Sequence, residues 1–202
     1  MTTSTSDNGL LLRALHDPSE PPLRPLPESV AGLLLGLSAP PRLAAHLRAV
    51  HDVACQLTSW ARASQPALAF DEEAVRFGAA THDIGKTLHP DELSGPGSAH
   101  EAAGRELLLA HGFDAELARF AGTHASWGSP GIHVEDLLVS VADKVWKNKR
   151  VPGLEDLLVA RLAEASGRPG WEEFMALDQF LEHLGDGAGE RLAFQSRYPV
   201  RH

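Results

Sequence analysis

At 202 residues and 43% hydrophobic content, the chain is long enough to bury the core of one domain without staples. Its formal charge of −9 argues against broad nucleic-acid binding, which needs a basic face. No apolar run reaches a membrane span, the polar N-terminus lacks a secretory signal, and the single cysteine, Cys55, suits a reducing cytoplasmic setting.

Residues 1–27 open polar and become proline-rich at Pro18, Pro21, Pro22, Pro25 and Pro27, around a short apolar patch from Leu10 to Leu15. This arm cannot carry a long helix past Pro18. With a short helix over 28–37 it forms an N-terminal unit, residues 1–38. Ala39-Pro40-Pro41 is a break, with proline placed to open the next helix. Over 42–62 the apolar residues Leu43, Leu47, Val50, Val53, Ala54 and Leu57 recur at helical spacing. Cys55 lies among them and reads as a small core residue rather than a nucleophile. Asp71 is a candidate N-cap for a helix running to about Asp83, with Glu72 and Glu73 in its first turn. Pro90, Gly95, Pro96 and Gly97 make 88–97 a loop. Ser98 can cap a helix through Leu109 that stops near Gly112, and Asp114 can cap another to about His124. After a glycine- and proline-bearing loop at 126–131, helices are expected over 134–146, 154–165 and 171–184, with a last one to Phe194. No alternating strand pattern and no repeat occur. The fold class is all-α, a compact multi-helix bundle of roughly seven to nine helices.

The most specific stretch is Ala79-Ala80-Thr81-His82-Asp83-Ile84-Gly85-Lys86. A neutral imidazole nitrogen and a carboxylate with two oxygens can meet on a metal ion, and the carboxylate can bridge two. Gly85 clears a side chain, and Lys86 places a cation one turn from His82. These groups suit a phosphate ester held against a metal. Eleven scattered histidines fit a metal site as well. Two further His-Asp pairs, His16-Asp17 and His51-Asp52, lack the following Gly-Lys and read as ordinary. Asp143 closes an apolar helical run from Leu137, and a buried carboxylate there needs a partner or a metal. No nucleophile elbow, P-loop or CxxC competes with this chemistry.

Together with its neighbours, the His-Asp-Ile-Gly-Lys stretch resembles the HD superfamily of metal-dependent phosphohydrolases, over a core of residues 39–150. That family's pattern is an early His, the His-Asp pair, optional further His and a late Asp. The resemblance implies an HD-domain bundle in which His46, His82, Asp83 and Asp143 hold one metal. His100 and His124 then complete a second, with Asp83 bridging. His46 is favoured because Val50 and Ala54 follow it at +4 and +8, as in the family's first helix; its rival is His51, with Cys55 at +4. The implied cofactor is two divalent ions per chain, drawn from Mn, Fe, Co, Mg, Ni or Zn. Lys86 and Asp83 are the catalytic candidates. Lys86, Arg42, Lys144 and Lys147 are the substrate-binding candidates, and Lys149 and Arg150 extend that basic run. His89 is a lesser candidate near the substrate, whereas His111, His133 and His183 read as solvated or helix-capping. Trp127 and Trp146 read as packing residues. The implied activity is cleavage of a phosphate ester or anhydride of a small molecule, a nucleotide by natural choice, by metal-activated water. A di-iron HD-fold oxygenase and a non-catalytic nucleotide-binding regulatory domain are the alternatives. The helices of residues 151–202 are expected to pack on the same domain, where they could also form a homodimer interface.

Overall fold

The computed structural model describes residues 4–20 and 22–200; Pro21 and the first three residues of the polar N-terminus lie outside them. Among the described residues the chain is all-helical, with no strand, and no helix is long and apolar enough to cross a membrane.

Helix α1 (Ser4–His16) ends two residues before Pro18 and packs on the long helix α3, burying Leu11, Ala14 and Leu15. The apolar patch of the arm therefore lies on a helix, with Leu11, Ala14 and Leu15 on its buried side and Leu12 exposed. The extended stretch that follows is held by α3 through two charged residues. Arg48 is 5% exposed, and its guanidinium donates to the carbonyls of Ala14, Asp17, Leu23 and Arg24. Asp52 accepts from the backbone N–H and the guanidinium of Arg24. A buried arginine is tolerated here because four carbonyls replace its water.

Helix α2 (Glu28–Gly36) leads to α3 (Pro41–Ser64), which opens on proline and runs for 24 residues, or about 36 Å. Helices α1, α4, α8 and α11 all pack on α3, so it is buried along most of its length. Helix α4 (Glu72–Thr81) is capped as expected: the Asp71 carboxylate accepts from the Ala74 N–H at 3.0 Å. It stops two residues short of the expected end. His82 is its C-cap, Asp83 has left helical geometry, and a 3-10 turn follows over Ile84–Thr87. The expected loop at 88–97 contains a second 3-10 turn, Pro90–Leu93. Helix α5 (Ala99–Ala110) packs on the first of these turns. The single helix expected over 114–124 is split at Arg119 into α6 (Ala115–Ala118) and α7 (Phe120–Thr123). Neither Ser98 nor Asp114 makes a side-chain capping bond.

Helix α8 (Val134–Val145) packs on α3, α4 and α9 (Pro152–Ser166). Helix α10 (Gly170–Asp186) packs on α9, and α11 (Ala188–Ser196) returns to α3. Two polar ties hold this C-terminal part. Glu173 is fully buried and accepts from Gln65 at the end of α3 and from Ser166. Arg191 donates to the carbonyl of Trp146 at 2.8 Å, fixing α11 beside the end of α8.

Candidate metal centre

Five chain segments deliver six side chains to one place. His46 comes from the first half of α3, His82 and Asp83 from the turn after α4, and His100 from the start of α5. His124 is the C-cap of α7, and Asp143 lies in the last turn of α8. All six are buried. Two residues in succession on a continuous helix diverge by about 100°. His82 still has helical geometry and Asp83 has just left it, and both side chains reach the cluster beside the helix end.

These side chains divide into two triads that could each hold an ion: His46, His82 and Asp143, and Asp83, His100 and His124. In each triad the ligand atoms lie within 4.8 Å of one another. Asp83 joins them. Its Oδ2 is 3.1 Å from His46 Nε2 and 3.6 Å from His82 Nε2, and its Oδ1 is 3.0 Å from His100 Nε2 and 3.6 Å from His124 Nε2. Asp143 Oδ1 lies 3.4 Å from His82 Nε2.

Hydrogen bonding on the far side of the rings decides what these short distances mean. His82 Nδ1 is 2.9 Å from the Ala79 carbonyl, His124 Nδ1 is 3.1 Å from the Ala121 carbonyl, and His100 Nδ1 is 2.5 Å from Glu92 Oε2. Each of those partners only accepts, so each Nδ1 carries the proton. In the neutral rings the Nε2 lone pairs then point at carboxylate lone pairs. Such an arrangement repels itself unless a cation sits between, which is what a metal supplies. Protons compete for the same place. Burial opposes charge on His82 and His100, yet Asp83, joined by Asp143 at His82 and by Glu92 at His100, raises both above their ordinary values. Burial also opposes charge on Asp83, but His82, His100 and His46 hold it well below the usual carboxylate range.

A cavity of about 430 Å³ opens on the cluster. Three lysines line it. Lys86 Nζ is 2.6 Å from Asp83 Oδ2, Lys144 Nζ is 2.5 Å from Asp143 Oδ2, and Lys147 is exposed over the edge of Trp146. Leu192 and Gln195 reach the same cavity from α11, so the C-terminal helices contribute to its wall. Arg42 does not line it; its Nε donates to the Tyr198 carbonyl at 2.9 Å. Arg150 is likewise engaged elsewhere, with Glu155 and Asp178. Trp146 is buried, with its ring edge-on to His46 at 4.9 Å between centroids, and Trp127 lies under Lys144.

Two positioning contacts had no signal in the sequence. Glu92, in the loop after the motif, accepts from His100 Nδ1 and from the N–H groups of Ala99 and His100. It therefore caps α5 in place of Ser98. Asp136 is buried and accepts from Thr123 Oγ1 at 2.6 Å and from Arg119, tying the segment that carries His124 to α8. An acid at the third position of a helix normally reads as dipole compensation, so neither role is visible from spacing.

The rival histidine lies elsewhere. His51 is five positions after His46, about 140° round the helix. Its Nε2 is 3.6 Å from Cys55 Sγ, beside a separate cavity of about 720 Å³ whose arginines, Arg24 and Arg76, are paired with acids. Burial pushes the Cys55 thiol up to about 11, so it stays protonated. His16, His111 and His183 are exposed, and neither His89 nor His133 lines the metal cavity.

His51 supplies a test of acid stability. Burial lowers it to about 4 from 6.5, so the folded state keeps it neutral while the unfolded chain takes up a proton. Its contribution is complete above pH 6.5, is lost as pH falls from there towards 4, and is constant below. Over that window it amounts to roughly 3 kcal/mol at most. Urea unfolding of chelator-treated protein at pH 7 and pH 4.5 should show a clearly smaller acid loss in His51→Leu than in the wild type. Equal losses would refute the assignment.

The fold and the site together define the class. The HD domain family matches residues 44–146, just over half of the chain, and the chain belongs to that family. Among curated proteins it is 29% identical over 112 residues to a "Multifunctional CCA protein" of Mannheimia succiniciproducens. The alignment covers 52% of this chain and 27% of that protein, so the chain spans about a quarter of the length of the curated relative it matches. No solved structure matches.

Proposed function

We propose that the protein is a metal-dependent phosphohydrolase that cleaves a phosphate ester or anhydride of a small molecule, with a nucleotide as the first substrate class to try. The observation that carries this reading is the pair of triads joined by Asp83 beneath a cavity lined by three lysines. Divalent ions bound there would supply an activated water and a clamp for the phosphoryl oxygens. His46, His82 and Asp143 would hold one ion, His100 and His124 the other, and Asp83 both.

The chain's own residues do the rest. Lys86 and Lys144 are held at the cavity by the two carboxylates, 18% and 16% exposed, where their ammonium groups can meet phosphate oxygens. Lys147 extends the same positive edge towards solvent. A volume of about 430 Å³ lies within the range of small-molecule sites, and the net negative charge of the chain disfavours a polymeric nucleic acid.

The experiment is phosphate release from a panel of nucleotides and p-nitrophenolate release from bis(p-nitrophenyl) phosphate, with Mn²⁺, Co²⁺, Fe²⁺ or Mg²⁺ added, alongside metal analysis. Turnover is expected with about two ions per chain. Lys86→Ala should lower turnover about a hundredfold, as loss of one charge-stabilising donor does, while metal content is retained. Bound iron without phosphate release would move the assignment to an oxygenase. Absence of metal and of metal-stimulated turnover would leave a regulatory nucleotide-binding domain.

A further inference from the structure

The two triads are built on unequal supports. His46, His82 and Asp143 stand on or directly after α3, α4 and α8, three helices packed on one another in the core. His100 stands on the first turn of α5, whose N-terminus faces a loop with no buried residue between Pro90 and Leu93. The Glu92 side chain bridges that loop to the helix. The Glu92 carboxylate accepts from Ala99 N–H at 3.1 Å, from His100 N–H at 3.2 Å and from His100 Nδ1 at 2.5 Å. Space for it is reserved by Gly97, where a Cβ would collide with Glu92 Oε1.

From this we infer that Glu92 is the positioning residue that keeps the second metal position competent to load, and that the second ion binds less tightly than the first because its position rests on this contact rather than on the packed core helices. The contact does two things at once. It fixes the His100 proton on Nδ1, leaving Nε2 as a buried lone pair that makes no well-formed hydrogen bond and faces Asp83 Oδ1 at 3.0 Å. It also holds the turn of helix from which the ring projects. A carboxylate on the far nitrogen of a ligating histidine both orients the ring and raises its basicity. The first triad does not depend on this contact, since His82 is oriented by a backbone carbonyl within its own helix end. The inference rests on the metal reading of the cluster and is independent of the reaction catalysed.

The test is a Co²⁺ titration of the chelator-treated 202-residue chain, followed by visible absorption, with metal content measured after desalting. The wild type should take up two equivalents, the first more tightly. Glu92→Ala should weaken the second equivalent about 10- to 100-fold and leave the first unchanged. Glu92→Gln, whose amide oxygen still accepts from Nδ1, should recover part of the loss. Gly97→Ala retains the carboxylate but displaces it, and should act in the same direction as Glu92→Ala. Two unchanged equivalents in Glu92→Ala, or equal weakening of both, would overturn the inference. No Co²⁺ uptake by the wild type would overturn the metal reading with it. Two equivalents bound with no hydrolysis of any nucleotide or of bis(p-nitrophenyl) phosphate would sink the phosphohydrolase reading and leave this one standing.

Discussion

Replacing Asp83 by asparagine is expected to leave less than one metal ion per chain and to cut phosphate release by at least about a thousandfold. No other side chain in the cluster faces both triads. Oδ2 lies among His46, His82 and Lys86, and Oδ1 between His100 and His124. An asparagine keeps the shape but offers a single oxygen. Its amide nitrogen would present N–H groups to one of the triads, where a cation is needed, and the negative charge is gone. The fold should survive, because Asp83 sits on a turn and bonds only within the cluster. Far-UV circular dichroism of the metal-free variant should match the wild type. Metal content and turnover then isolate the site, and a variant that still carries two ions would refute the bridging role.

Gly85→Ala is the second large effect, and it acts through the backbone. Gly85 is not among the glycines with positive φ, so its role is space rather than conformation. A Cβ there would drive into the carbonyl of His100 and lie 2.6 Å from the N–H nitrogen of Gly104. Both obstacles are main chain of α5 and cannot rotate away. Gly104 is the matching gap, with its own missing Cβ 3.0 Å from Gly85 N. One added methyl must therefore push α5 off the turn that follows the His-Asp pair, carrying His100 with it. Overpacking of this kind costs about 1–3 kcal/mol, more where nothing can yield. For a chain of this size the melting temperature should fall by roughly 5–10 °C, together with loss of the second metal ion. An unchanged melting temperature with two ions bound would show that α5 can move away freely. This contact gives a physical reason for glycine in the motif, a reason different from simple clearance beside the ligands.

Much of the fold was legible because it is written in short-range patterns. Helical spacing of apolar residues marks α3 and α8, Asp71 caps α4, and prolines open α3 and end α1. The cluster was legible for a related reason: metal ions demand particular donor types, and the His-Asp-Ile-Gly-Lys stretch concentrates them. Residue type together with family resemblance was enough to nominate the six side chains that the fold brings together.

Other features depend on contacts between distant parts of the chain. Arg42 shares the N-terminal half of α3 with His46, but a carbonyl 156 residues away takes its guanidinium. Local sequence favoured His46 over His51, and the packing of α4 and α8 on α3 is what sets His46 against Asp83. The end of α4 at Thr81, the capping of α5 by Glu92 and the tie from Asp136 to Thr123 share this character. Each is settled by which polar groups are desolvated together once the helices have packed, and a buried donor or acceptor must then take the partner that the tertiary arrangement provides. The sequence by itself determined the helical class and the donor set. The tertiary structure decided the orientation of those donors and the contacts behind them, because lone pairs converge only when five separate segments are held against one another.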